Sequence, residues 1–299
     1  IIEAMVTAVM LKTFIHVIEF ISGMAFITLS RHMGLERSSQ FFGNLFTKIG
    51  PRFPQNNIAV RNLTAAFPEA DEAEIKSLNI EMWRNLGMFF GEFSNLDRLR
   101  AEADTRINIS GWDLTQKTFD EGRGLIFFSG HMGNWEVMAA ATHIFDKDVM
   151  GVYRKASNPF FEKWITKIRN KSTVTKLVQK GADGAKNIIK TLKAGNTVCV
   201  LNDQKMNDGA ELMFFNRRAM TATAIPKIAR KFNIPMVFVS VQRRANSHFD
   251  VVFHPPFLPE TTEDAHQDIF NTAQKMNDIL EEAIRQQPAH WLWLHNRWK

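Results

Sequence analysis

A histidine followed five residues later by a glutamate stands in the segment Gly124–Ala141, GLIFFSGHMGNWEVMAAA. An imidazole titrates near neutrality and can take a proton from an attacking hydroxyl when a carboxylate holds its other nitrogen and steadies the imidazolium. His131 and Glu136 are of the right types for that work. On one continuous helix the spacing would turn them roughly 140° apart. The local pattern avoids this. An apolar run reads as a buried strand ending at Gly130, and Asn134 is a good N-cap for a helix that follows. His131 then falls on the turn at a strand's carboxyl end, where α/β sheets place their ligands, and Glu136 can fold back toward it from the first helical turn. Backbone N–H groups at that helix start are the expected donors to a tetrahedral oxyanion. A His and a Glu at this spacing also recur by chance, so a structural role for both stands beside the catalytic one. No second His or Cys ligand stands at a helical spacing, and no metal site is expected.

Other side chains of chemical interest follow further apolar runs. Arg154 comes after Val149–Tyr153 and suits a phosphate through its planar fork, or is a solvated surface arginine. Asn158-Pro159 reads more as a turn that starts the next helix than as a substrate contact. Asp203 and Gln204 follow Thr197–Leu201; Asp203 can organise a pocket or orient a base, Gln204 can donate to substrate, and loop capping is the alternative for both. Arg217 and Arg218 close an expected hairpin and can contact phosphate or remain solvated. Glu211 can reach toward His131 or be an ordinary strand-edge charge, the second being favoured. The single cysteine, Cys199, lies in an apolar run and reads as a packed core thiol; with no partner it forms no internal disulfide, which points to a reducing compartment.

Strand and helix patterns that position these residues begin near Arg100. Short apolar runs at Gly124–Phe128, Val149–Tyr153, Thr197–Leu201, Glu211–Phe215, Met236–Val241 and Phe249–Phe253 alternate with helical patterns near 135–144, 160–170, 184–193, 221–232 and 264–286. That alternation predicts an α/β fold, a largely parallel or mixed central sheet flanked by helices. Before it, Glu36–Phe93 is helical, with an Asp71/Glu74 capping box and Ile75, Leu78, Met82, Leu86, Phe89 and Phe93 at three- and four-residue spacing. The first stretch, Ala4–Leu29, is apolar enough to engage a bilayer but carries Lys12, His16 and Glu19 on one helical stripe. It is read as an interfacial or tilted helix whose polar seam packs on the body or faces water, and without a small-residue cleavage site it is not read as a secretory signal. The expected division is a membrane-associated helix over 1–33 and one α/β domain over 34–299, helical to about residue 100.

Composition agrees with a folded protein that meets anions. Lys and Arg number 37 against 31 Asp and Glu, and no acidic residue lies between Leu212 and Phe249, where Arg217, Arg218, Lys227, Arg230, Lys231, Arg243 and Arg244 are all cationic. Such a block suggests a surface for phosphates, an acidic protein or an anionic bilayer. Nucleic acid ranks low, since zinc-finger, helix-turn-helix and aromatic-basic RNA patterns are missing from the sequence.

Five ordered blocks resemble one known family. The segment SGHMGNWE around His131 and Glu136 looks like the His-x4-acid block of the lipid A late acyltransferases, the lauroyl and myristoyl transferases of Gram-negative bacteria within the wider glycerolipid acyltransferase group. Asn62-Leu63 with Ala66–Glu69 resembles the N-terminal signature, and Met82–Gly87 the helix that follows it; Tyr153-Arg154 with Asn158-Pro159 the second block; Asn202-Asp203-Gln204 with Phe214-Phe215 the third; and Trp291–Lys299, WLWLHNRWK, the C-terminal signature. By itself the last segment would suit either a membrane-interface anchor or a closing core strand. Asn216 stands where many members have Gly, and Glu211 is an additional carboxylate. The resemblance implies an enzyme at the cytoplasmic face of the bacterial inner membrane, with acyl carrier protein thioester as co-substrate and no other cofactor. It implies a phosphorylated glucosamine disaccharide lipid as the anionic acceptor, His131 as general base and Glu136 as its partner. It also favours Arg154, Asn158, Asp203, Gln204, Arg217 and Arg218 as substrate contacts. The same chemistry on another phospholipid or glycolipid, and a non-catalytic membrane-binding protein, are the competing readings.

Overall fold

The computed structural model describes residues 2–144, 148–172 and 176–298. Among them, six helices precede the first strand: α1 (Ile2–Met33), α2 (Leu35–Ile49), α3 (Asn56–Ala66), α4 (Glu72–Phe93), α5 (Leu96–Ala101) and α6 (Ala103–Arg106). Strands and helices then alternate as β1 (Ile107–Ser110), α7 (Trp112–Asp120), β2 (Leu125–Ser129), α8 (Glu136–Ala140), β3 (Val149–Tyr153), α9 (Pro159–Ser172), β4 (Lys176–Gln179), α10 (Ala182–Lys193) and β5 (Thr197–Leu201). The hairpin β6 (Ala210–Phe214) and β7 (Arg217–Thr221) is followed by α11 (Ala224–Phe232), β8 (Met236–Arg243), β9 (Phe249–Phe253) and α12 (Ala265–Gln286).

Among the described residues, seven strands form the central sheet in the order β1-β9-β8-β2-β5-β3-β4. All neighbours are parallel except β8 and β9, so the sheet is mixed as the alternation predicts. Every residue of β2 is buried, because helices cover both faces. The two-residue period of a strand divides its side chains between two cores: Ile126 and Phe128 pack with α3, α10, α11 and α12, while Leu125 and Phe127 pack with α5, α7 and α8. Strands β1 and β4, together with α7, are additions to the elements expected from the apolar pattern. Both strands are four residues long and occupy the two sheet edges, where a strand has one neighbour and can keep polar side chains such as Asn108, Lys176 and Gln179.

The early helices pack as a layer on this sheet rather than as a separate bundle. The Asp71/Glu74 capping box starts α4, whose Gly87 and Gly91 let it lie against the α2 backbone. A Cβ at Gly87 would stand 2.2 Å from the Phe42 carbonyl oxygen, and one at Gly91 2.7 Å from Ser38, so the two helices meet at a distance only glycine allows. Helix α1 is docked along its second half. Arg31 forks onto Asp97 through two 2.8 Å bonds, and the buried Ser30 hydroxyl donates to the Gly91 carbonyl. Its polar stripe does pack on the body at one point: the Asn158 amide donates to the His16 carbonyl at 2.8 Å and to Glu19 Oε2 at 3.0 Å. The remainder of α1 presents Met10, Leu11, Phe14, Ile15, Ile18 and Ile21 to the outside, and Met10–Met33 is long and apolar enough to cross a membrane.

Candidate active site

Strands β2, β5, β3 and β4 are neighbours running in one direction, so their carboxyl ends open on one edge of the sheet. His131 follows β2, Asp203 and Gln204 follow β5, Arg154 follows β3 and Lys180 follows β4. Between these ends lies a cavity of about 420 Å³ bordered by His131, Glu136, Arg154, Arg169, Lys180 and Gln204, with Cys199 in its floor. Burial pushes the Cys199 thiol up to about 12, so it is protonated and inert, in keeping with a packed core thiol.

The partner of the histidine is a finding of the structure. His131 Nδ1 lies 2.8 Å from Asp203 Oδ1, and the His131 backbone N–H donates to Asp203 Oδ2 at 2.8 Å. Trp291 Nε1 donates to the same Oδ2, also at 2.8 Å. Burial alone would raise the pKa of Asp203, which is only 1% exposed. The facing His131 charge, the bonds from its ring and backbone, and the Trp291 bond outweigh burial and hold the carboxyl well below the usual range. An ionised carboxylate only accepts, so the proton of neutral His131 sits on Nδ1, and the Nε2 lone pair is left for the cavity. Trp135 packs edge-on against the ring at 5.0 Å and limits its rotation.

Glu136 does not hold the His131 ring, contrary to the expectation from the strand-turn-helix pattern. It pairs with Arg169 of α9, through a bond from Arg169 Nε to Oε2 at 3.1 Å and a second from Nη2 to Oε1. Asp203 already occupies the Nδ1 side of the ring, and the Glu136 side chain lies along the cavity wall toward Arg169 of α9. Arg169 loses hydration by burial, yet the adjacent Glu136 charge and hydrogen bonds keep its pKa raised. The expected oxyanion donors at the helix start are also engaged. The N–H groups of Met132, Gly133, Glu136 and Val137 bond to the Gly130 carbonyl, the His290 carbonyl, Asn134 Oδ1 and the Asn134 carbonyl respectively. Side-chain donors on the cavity wall, Gln204 and the cations Arg154, Lys155 and Lys180, are the groups that face an incoming ligand. Burial and the neighbouring Arg154 lower the pKa of Lys180 against the opposing pull of Asp203.

Three other residues expected at the site stand elsewhere. Asn158 caps α9 by accepting from Phe160 N–H at 3.0 Å while its amide holds α1, and it is absent from the cavity wall. Arg217 lies over the Trp298 ring at 4.9 Å, and Arg218 pairs with Glu211 at 2.7 Å on the exposed face of the hairpin. Glu211 is thus an ordinary strand-edge charge and does not reach His131. Much of the cationic block is paired within the fold: Arg218, Arg230, Arg243 and Arg244 meet Glu211, Asp268, Glu92 and Asp250 from outside or at the ends of the acid-free stretch. The hairpin turn places Phe215 and Asn216 both at φ 53°, a left-handed pair of the kind that asparagine tolerates well.

The C-terminal segment is core, not anchor. Trp291 and Trp293 are 1% and 0% exposed, and Arg297 is fully buried, donating to the Met220 carbonyl and Thr221 Oγ1. Next to them, burial and nearby Arg243 lower the His290 pKa to about 4. A buried histidine of this kind gives a pH signature. The unfolded chain takes up a proton below its ordinary value near 6.5 while the folded one does not. Stability present above pH 6.5 is therefore lost as pH falls toward 4, by on the order of 3 kcal/mol from this residue. His254 and His295, also lowered by burial, add slopes of the same sign. Urea melts between pH 7.5 and 4.5 are expected to show His290→Gln with a visibly flatter loss than the parent chain.

The comparisons with known proteins agree with the blocks read from the sequence. The profile of the family described as bacterial lipid A biosynthesis acyltransferase matches residues 9–299. A lipid A biosynthesis lauroyltransferase of Escherichia coli (strain K12) is 26% identical over 262 residues, covering 84% of this chain and 82% of its own. A lipid A biosynthesis palmitoleoyltransferase of the same organism is 25% identical, covering 82% and 79%. The crystal structure of a 1-acyl-sn-glycerophosphate acyltransferase from Thermotoga maritima covers 93% of this chain and 99% of its own at 10% identity, with a TM-score of 0.39, too low to bear on the fold. On the match across nearly its whole length, this chain belongs to the bacterial lipid A biosynthesis acyltransferase family.

Proposed function

We propose that the chain transfers a fatty acyl group from an acyl carrier protein thioester directly to a hydroxyl of a phosphorylated lipid A precursor, at the cytoplasmic face of the inner membrane. The observation that carries this reading is His131, fixed by Asp203 through Nδ1 so that Nε2 is left as a base at a cavity rimmed by cations. In the reaction, Nε2 takes the acceptor's hydroxyl proton as the oxygen attacks the thioester carbonyl. An O–C bond forms, the C–S bond breaks as the tetrahedral intermediate collapses, and the imidazolium returns its proton to the departing thiolate. Asp203 stabilises the imidazolium throughout, and Gln204 with Lys180 supplies donors toward the oxyanion. Arg154 and Lys155 meet the phosphate of the acceptor or of the donor's pantetheine arm.

The acyl chain is assigned to a second cavity of about 370 Å³ lined by Gly23, Phe26, Phe46, Phe93, Trp164 and Ile165, whose surface is almost wholly apolar. A series of ring contacts leads there from the histidine: His131 to Trp135 at 5.0 Å, Trp135 stacked on Phe89 at 3.8 Å, Phe89 to Phe93 at 5.7 Å and Phe93 to Trp164 at 5.8 Å. Because α1 supplies part of that wall and turns its exposed apolar side outward, membrane attachment and chain binding use the same helix. A thiol-release assay in mixed micelles tests the mechanism. Carrier thiol is expected to appear in step with ester product, only when acceptor is present, and with no acyl group left on the protein. Thiol release without acceptor, or an acyl-enzyme isolated after quenching, would contradict direct transfer.

A further inference from the structure

The C-terminal segment touches the catalytic turn through more bonds than packing alone requires. Gly133 N–H donates to the His290 carbonyl at 2.8 Å, Leu292 N–H donates to the His131 carbonyl at 3.0 Å, and Met132 pairs with Trp291 in an antiparallel bridge. The segment thus runs beside residues 131–133 as a short strap. From its centre the Trp291 indole, 1% exposed, donates to Asp203 Oδ2, the same oxygen that accepts the His131 backbone N–H. Two N–H donors on Oδ2 fix the plane of the carboxylate and aim Oδ1 at the His131 ring. The indole is also held from behind, edge-on to Trp293 at 4.6 Å and to Phe214 at 5.7 Å, so it cannot turn away without opening the core.

We propose that Trp291 is a positioning residue for the acyl-transfer base: its indole N–H sets the orientation and effective charge of Asp203, and through it the aim and basicity of His131. The proposal rests on the reading of His131 as the base. Removing the N–H leaves more negative charge on Oδ1, which holds the imidazolium more tightly. The acid limb of the pH–rate profile then moves to higher pH, because a larger share of the enzyme is protonated at a given pH. The charged and titratable groups that face the pair are Lys180 at the end of β4, Arg154 beside it, His295 and Arg297 on the same C-terminal segment, and Glu136 with Arg169 across the cavity. Of these, His295 packs edge-on to the Trp291 ring at 5.6 Å, and Trp291→Phe keeps an aromatic ring against it while removing the N–H.

The experiment compares the full-length protein with Trp291→Phe, Trp293→Phe and His131→Ala in detergent micelles carrying the lipid acceptor, with acyl carrier protein thioester as donor, from pH 5 to 9. Trp293 makes a matched control, since it is equally buried on the same segment and its indole donates to the Pro288 carbonyl at 2.7 Å, not to Asp203. For Trp291→Phe, kcat is expected to fall about tenfold with little change in KM, and the acid limb to rise by about half to one pH unit. Trp293→Phe is expected to lose thermal stability to a similar degree and to keep its acid limb in place. An unmoved limb in Trp291→Phe, or an equal movement in both tryptophan variants, would overturn the proposal. Undiminished turnover in His131→Ala would instead remove the base assignment beneath it. Should Trp291→Phe not fold, the wild-type protein gives the answer: the Trp291 indole N–H resonance is expected to titrate with the midpoint of the acid limb, and a resonance flat across that midpoint overturns the link.

Discussion

Asp203→Asn is expected to lower kcat by about a thousand- to ten-thousand-fold while leaving the protein folded and KM within a few-fold of the parent. The size of the effect follows from which atoms surround the carboxylate. Oδ2 receives two N–H donors, from the His131 backbone and the Trp291 indole, and Oδ1 faces the His131 ring. An amide in the same place must turn its oxygen toward the two donors, so its NH2 faces His131 Nδ1. That nitrogen then has to accept, the imidazole proton moves to Nε2, and the histidine no longer has a lone pair to offer the acceptor hydroxyl. Glu136→Gln provides the contrast. Its carboxylate holds Arg169, so the change loosens the cavity wall and is expected to cost one to two orders of magnitude less in kcat than Asp203→Asn. Steady-state kinetics on the two variants decide between them, and a mild Asp203→Asn beside a severe Glu136→Gln would restore Glu136 as the partner of the base.

Glu92→Gln is expected to destabilise the fold by about 3–5 kcal/mol. Glu92 is fully buried on α4 and collects four partners from four parts of the chain. Ser39 of α2 donates at 2.8 Å, Asn134 of the catalytic turn at 2.9 Å and Ser247 at 3.2 Å, and Arg243 at the end of β8 completes an ion pair whose side chains are 5% and 0% exposed. A neutral amide leaves the Arg243 charge buried without compensation, and that penalty, more than the lost pair, sets the magnitude. Pairing Glu92→Leu with Arg243→Met removes both charges and is expected to recover part of the loss. The recovery stays partial because Asn134, Ser39 and Ser247 keep donors with nothing to accept them. Urea denaturation midpoints check both statements. Since Asn134 links Glu92 to the His131 turn, the single variant is also expected to lose activity at temperatures where it remains folded.

The parts of this protein that are legible in its sequence are those whose signal is local. The β2 run, the turn after it, the capping box of α4 and the helix that becomes α12 each declare themselves through periodicity or a cap, and the ordered blocks lead to the family. Partnerships across the fold are not legible. The strand-turn-helix pattern suggests Glu136 beside His131, but Asp203 lies 72 residues further along the chain and reaches the ring only because β5 pairs with β2 in register, Ser129 opposite Leu201. Arg169 gives no signal, as one cation among several on an amphipathic helix, and the cationic stretch from Leu212 to Phe249 looks open in sequence because its carboxylates come from other segments. The tryptophans of the C-terminal segment look equally suited to a membrane interface, and only the bonds of Trp291 to Asp203 and of its flanking backbone to the His131 turn place them in the core.

Mass spectrometry of the lipid product decides whether His131 drives acyl transfer to a phosphorylated disaccharide lipid. The purified protein is incubated in detergent with acyl carrier protein thioesters of several chain lengths and a tetra-acylated, phosphorylated glucosamine disaccharide, with His131→Ala alongside. An acceptor heavier by one acyl group, with the added group in ester linkage, is expected with the intact protein and none with the folded variant. An equal yield from His131→Ala would contradict the mechanism, and no product at any chain length from the intact protein would contradict the assignment of donor and acceptor.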